Sequence, residues 1–137
     1  MALLAFNGSA QILVSSLLGL YMLVLMQPWA RTLAARSPKW RDLLSAHLDW
    51  IMLALMQLAA AFLLGRFAVP HSRLIAWLLV FGGWANPVPY LVRGLGINAF
   101  VLGGPWKQRV AASLGLASVL ALLLGWALVA SGLWRSS

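Results

Sequence analysis

Three features of the sequence predict an all-α fold, a bundle of four membrane-spanning helices forming one domain over residues 1–137. Hydrophobic residues make up 63% of the chain and charged residues only 9%, with a mean hydropathy of +0.90. Both values lie far outside the range of a soluble globular domain. The apolar residues fall into four stretches, each near the ~20 residues that cross a bilayer. The basic residues cluster between those stretches, as in a multi-pass protein.

The first stretch, Leu3 to Met26, lacks a basic leader, and its apolar run exceeds the ~7 to 15 residues of a signal sequence, so it is expected to stay in the mature protein. The connection "QPWARTLAARSPKWRD" opens with Pro28 and carries basic residues at near-helical spacing, which predicts a short interfacial helix. The second stretch runs from Leu43 to Leu64. After it, "GRFAVPHS" is tight enough to make the second and third spans antiparallel neighbours. The third span is Leu74 to Val92, and the glycine-rich "RGLGINAFVLGGPW" beyond it must be irregular. Both a re-entrant lid over a site and a plain connection fit that segment. The fourth span, Val110 to Leu133, carries Gly115, Ser118, Ala121 and Gly125 at spacings of three and four. Small residues so placed permit close helix contact and suit an oligomer interface, although they are also common in membrane helices. The spans show no internal repeat, which argues against an inverted-repeat transporter.

A net charge of +8 is read here as topology rather than as nucleic-acid binding. Arg31, Arg36, Lys39, Arg41, Arg93, Lys107 and Arg109 fall in the first and third loops, against Arg66, Arg73 and Arg135 on the other side. Positive-inside counting places those two loops in the cytoplasm and both termini outside, with the lipid bilayer and its anionic headgroups as the partner. Trp29, Trp40 and Trp106 fit an aromatic belt on the first side and Trp134 one on the second. The chain has no cysteine, which excludes disulfides, thiolate nucleophiles and cysteine-ligated clusters.

Two carboxylates and two histidines are all the chain has, and one of each sits in "SAHLDW" near the start of the second span. Asp49, Leu53 and Gln57 recur every four residues on one face, whereas His47 lies about 200° around the helix from Asp49. The two point differently, so a site using both must wrap around the helix or involve a second subunit. On the third span, "GGWANPVPY" puts Asn86 and Tyr90 on one face. Pro87 and Pro89 cannot donate to the carbonyls of Gly83 and Ala85, which predicts a kink, with a cavity or merely a distorted helix end.

Asp49 precedes Arg66 by 17 residues and Tyr90 follows Arg73 by 17, about 25 Å of helix in each case. His47, Asp49, Asn86 and Tyr90 should therefore share the leaflet near the basic loops, where one pocket could hold them all. Snorkelling is the plainer alternative, with Asp49 answered by Arg41 or Arg93. His71, in the second loop, is expected to be solvated. It lies 24 residues from His47, roughly 36 Å of helix, too far to be a second axial ligand in one chain.

"AH" at Ala46 and His47, and "GWANPVPY" with Gly83, Trp84, Asn86 and Tyr90, resemble the small four-helix membrane isomerases, namely styrene oxide isomerases and hydroxylaminobenzene mutases. The resemblance implies a homotrimer in a bacterial inner membrane, binding haem b between subunits with His47 as axial ligand. Ferric iron would act as a Lewis acid on a small aromatic substrate. It further implies that Asn86 and Tyr90 line the substrate pocket.

In the epoxide-isomerising branch an asparagine lies six residues after the histidine and an aspartate precedes the "GW" pair. Here Leu53 and Gly82 stand in those places. The departure shifts the expectation to rearrangement of an arylhydroxylamine to a 2-aminophenol, with Asp49 as the base that removes the ring proton and Tyr90 as the second candidate. Epoxide rearrangement to an aldehyde is the alternative. From other classes, a small multidrug-type transporter is weakened by the lack of glutamate, Asp49 being taken as the only helix carboxylate. A non-catalytic membrane subunit also fits composition alone.

Overall fold

The computed structural model describes residues 1–136 and is helical throughout, with no strand among them. Helix α1 (Ala2–Leu25) is followed by a 3₁₀ turn (Pro28–Ala30) and the short α2 (Arg31–Arg36), then by α3 (Trp40–Arg66). Helices α4 (Ser72–Ala85) and α5 (Val88–Gly94) form one interrupted span, and α6 (Trp106–Ser136) completes the bundle. Four segments are long and apolar enough to cross a membrane: Ala2–Leu25, Trp40–Arg66, Ser72–Gly94 and Trp106–Arg135. This is a multi-pass membrane protein. The spans match those expected from hydropathy, and the helices run on into flanking polar residues at Trp40–Asp42 and Trp106–Arg109 because helical hydrogen bonding continues past the apolar run.

The short helix expected after Pro28 is present as α2, and the segment is tied down where the Tyr21 hydroxyl meets the Ser37 hydroxyl at 2.5 Å. Helix α1 packs chiefly along α3, and α6 along α4. The apolar core lies towards the Arg66–Ser72 turn and is built from residues such as Leu4, Leu64, Ile75, Leu79 and Val129. That leaves the opposite end, near the longer loops, for the polar residues. Lipid-facing positions are apolar, with Leu13, Leu17, Leu20, Leu120 and Leu123 all exposed. The inward face of α1 instead carries the buried Gln11 and Ser15. Polar groups turned inward and leucines outward are what a hydrocarbon solvent selects.

One expectation is corrected by the packing of α6. Its small residues are spent inside the chain and not on an oligomer surface: a side chain at Gly115 would meet Pro89 Cγ at 2.9 Å, and one at Gly125 would meet Leu79 Cδ2 at 2.8 Å. Ser118 is fully buried and Ala121 nearly so. Close approach of α6 to the broken α4–α5 span is what these residues permit.

Candidate active site

The break between α4 and α5 follows from its prolines. Asn86 N–H still donates to the Gly82 carbonyl at 2.9 Å, but Pro87 and Pro89 have no N–H to give, and the next bond runs from Tyr90 N–H to the Pro87 carbonyl at 3.1 Å. A cavity of about 360 Å³ opens at this point, lined by Asn86, Pro89 and Tyr90 from the break, Phe100 from the loop, and Leu116 and Val119 from α6. The glycine-rich loop therefore contributes wall to the cavity as well as connecting the spans. Gly96 and Gly104 adopt φ of 91° and 79° there, conformations that exact a steric cost from other residues.

Asn86 is held chiefly from one end. Its Nδ2 donates to Asp49 Oδ2 at 2.7 Å, while its Oδ1 lies 3.2 Å from Ser118 Oγ, whose single hydrogen also has the nearer Gly115 carbonyl at 2.7 Å. The carboxylate decides the amide's orientation, because the reverse would set two acceptors against each other. One amide hydrogen of Asn86 and the second oxygen of Asp49 have no bond among the described residues. Asp49 on α3 and Asn86 at the α4–α5 break thus meet, although the residue count set Asp49 level with Tyr90 and left Asn86 one turn nearer the Arg66–Arg73 turn.

His47 faces elsewhere. Its Nδ1 lies 2.8 Å from the Ser15 carbonyl and 2.8 Å from Ser15 Oγ, while the Ser15 hydroxyl can donate to the His47 carbonyl at 2.8 Å. With that hydroxyl hydrogen committed, Nδ1–H is the donor, and in the neutral ring the lone pair sits on Nε2. Among the described residues Nε2 has no hydrogen-bond partner. Gly19 makes room for the ring, since a Cβ there would stand 3.0 Å from His47 Cε1. His47 therefore contacts α1, whereas Asn86 and Tyr90 line the cavity with α6 and the loop, and Asp49 reaches that wall through Asn86. Within one chain the four residues do not share a pocket, since Asn86 and Tyr90 line the cavity and His47 does not.

A further pairing departs from expectation. Arg93 is engaged with Asp42 and not with Asp49: its Nε donates to Asp42 Oδ1 at 2.7 Å, and Nη2 approaches the same oxygen at 2.5 Å. Asp42 belongs to the first turn of α3 and is buried, so Asp49 is not the only helix carboxylate. The helix N-terminus favours a negative charge at that position. Trp84 packs edge-on against Trp50 at 6.4 Å and donates through Nε1 to Asn7 Oδ1 at 2.9 Å. Gly83 gives close approach to the buried amides of Gln11 and Gln57. His71 is exposed, adopts φ of 57° before α4 and stands outside the site.

The styrene oxide isomerase family model matches residues 1–134, almost the whole chain. The chain belongs to the styrene oxide isomerase family. No curated protein and no solved structure matches it. Membership makes it an isomerase of the styrene oxide isomerase type. The family's two epoxide-branch polar positions are closed in this member. Leu53 is buried, and a side chain at Gly82 would meet Leu122 Cδ2 at 2.8 Å and the Ser118 carbonyl at 3.0 Å. The polar side chains near this wall are Asp49, Asn86 and Ser118. Ser15 and Asp42 were missed in the sequence, although Asn7, Gln11 and Ser15 recur every four residues on α1, a polar stripe that signals an inward face.

The donor set suits a haem held by one imidazole. A ligating histidine ordinarily donates its other ring N–H to a carbonyl or carboxylate. His47 has that arrangement, with Nδ1 on the Ser15 carbonyl and Nε2 available.

Proposed function

We propose that this protein is a haem-dependent membrane isomerase that rearranges an arylhydroxylamine such as hydroxylaminobenzene to a 2-aminophenol, working as a homotrimer in a bacterial inner membrane. The observation that carries the choice of substrate is Asp49, a carboxylate 2.7 Å from the Asn86 amide that lines the cavity. In this rearrangement the N–O bond breaks, oxygen joins the ortho carbon, and the proton on that carbon leaves as nitrogen gains one, with no net change in composition. A base within reach of the ring therefore speeds the step that restores aromaticity.

The chain's own residues divide the work. His47 Nε2 would hold the iron, and its ring is kept in position by Ser15 and Gly19. When bound, ferric haem supplies a Lewis acid for the substrate oxygen. The free amide hydrogen of Asn86 and the Tyr90 hydroxyl orient the departing oxygen, and the bond to Asp49 keeps the Asn86 amide from turning. The unengaged oxygen of Asp49 takes the ring proton, directly or through one water. Because His47 and the Asn86–Tyr90 wall face different sides of α3, the site is completed by a neighbouring subunit, which supplies the imidazole to one chain's cavity.

The family match itself favours a second reading, rearrangement of an aryl epoxide to an aldehyde. There hydride migrates within the substrate and no proton is lost, so Asp49 would be idle. Purified protein given hydroxylaminobenzene and styrene oxide in parallel decides between them: 2-aminophenol as the dominant product supports the first reading, and phenylacetaldehyde alone overturns it.

A further inference from the structure

Arg93 is the centre of a contact set that this chemistry does not use. Its guanidinium is tied to Asp42, whose side chain is only 6% exposed. A buried carboxylate without its partner is costly, so the pair holds the arginine in one place. The same guanidinium lies 4.8 Å from the ring centre of Phe100 and 5.6 Å from that of Tyr90. The two rings meet at 5.2 Å with a tilt of 56°.

Phe100 sits on the loop between α5 and α6, whose other ties are few: Ala99 is buried, and Phe100 N–H donates to Asn98 Oδ1 at 3.3 Å. Gly96 and Ile97 N–H groups bond back to the Arg93 and Val92 carbonyls at its start, and Gln108 Nε2 reaches the Val101 carbonyl at 3.4 Å near its end. Between those points Phe100 is half exposed and lines the cavity beside Tyr90.

We infer that Phe100 is the specificity-determining residue for the aromatic ring of the substrate, and that Asp42 and Arg93 are positioning residues that seat it. The inference rests on the reading of the cavity as an aryl site. Tilted rings leave a face and an edge for a third ring, and such contacts favour aromatic over saturated ligands of equal size. The planar arginine can bond in its plane to Asp42 while its face meets the two rings, which a lysine cannot do. In this way the first turn of α3 sets the loop.

The test uses the full chain in detergent, with Phe100→Ala, Phe100→Tyr, Arg93→Gln and Arg93→Lys. Hydrogen exchange in ligand-free protein should be about tenfold faster across residues 95–105 in Phe100→Ala and Arg93→Gln, and unchanged in α1 and in α3 beyond its first turn. For whichever substrate the unmodified enzyme turns over, KM should rise about fivefold in Phe100→Ala and Arg93→Gln, with a smaller change in kcat. Phe100→Tyr should restore KM, and Arg93→Lys should not. Loop exchange that stays at the unmodified rate in Arg93→Gln overturns the positioning role, and a fall in kcat at constant KM in Phe100→Ala overturns the specificity role.

Should the unmodified protein turn over neither substrate, the isomerase reading of the cavity fails, and phenol against cyclohexanol binding, followed by saturation-transfer NMR, still decides the role of Phe100. A preference for phenol that vanishes in Phe100→Ala supports it, and equal binding in the unmodified protein overturns it.

Discussion

Replacing Asp49 by asparagine separates two roles that the wild-type geometry leaves joined. The Asn86 Nδ2 to Asp49 Oδ2 bond, at 2.7 Å, survives in kind, because the new side-chain carbonyl still accepts. What is lost is the charge on the acceptor, worth about 1 kcal/mol of hydrogen-bond strength, or roughly fivefold in an equilibrium. If Asp49 only orients Asn86, kcat for hydroxylaminobenzene falls by about that factor. If it takes the ring proton, the loss is roughly 10²-fold to 10⁴-fold, the usual contribution of a positioned base. The expected outcome is the larger loss, with epoxide turnover, where measurable, reduced by no more than the smaller one. The assay is single-turnover product formation by chromatography, with the Soret absorbance recorded for each preparation to show equal haem content. An Asp49→Asn enzyme retaining a fifth or more of wild-type kcat would falsify the base assignment.

Other perturbations follow from the same geometry. His47→Ala should abolish the Soret band of protein purified with added haem, and added imidazole should restore part of it. Gly19→Val should weaken haem retention while leaving the helix content intact, because a Cβ there stands 3.0 Å from His47 Cε1. Equal haem occupancy in the variant and the wild type would refute that steric account. Gly82→Ala should lower the melting temperature in detergent, since the new methyl meets Leu122 and the Ser118 carbonyl. The cost expected for such overpacking is about 1–3 kcal/mol.

The reach of sequence reasoning here differs from residue to residue. Counting from the Arg66–Arg73 turn set Asp49 level with Tyr90 and Asn86 one turn nearer that turn, close enough to place all three in one leaflet, and the structure joins Asp49 to Asn86. The opposite pointing of His47 and Asp49 was likewise legible from a separation of two residues. Their partners were not. Asp49 meets Asn86, Asp42 meets Arg93, and His47 meets Ser15, and each pairing depends on the rotation of one helix against another. The small residues of α6 make the same point: their spacing shows that something comes close, and only packing shows that it is Pro89 and Leu79 of the same chain.

By itself, then, the sequence determined that this chain forms four membrane helices with a proline break in the third, because long apolar segments in hydrocarbon must satisfy their backbone groups internally and proline cannot take part. It also determined which residues lie in the leaflet near the basic loops. Tertiary structure decided which polar groups meet, that the cavity lies between the break, α6 and the loop, and that His47 turns away from it towards α1. Those outcomes rest on contacts between residues as distant in the chain as Asp49 and Asn86 or Asp42 and Arg93. Helical periodicity sets direction within a helix and leaves its rotation against its neighbours to packing.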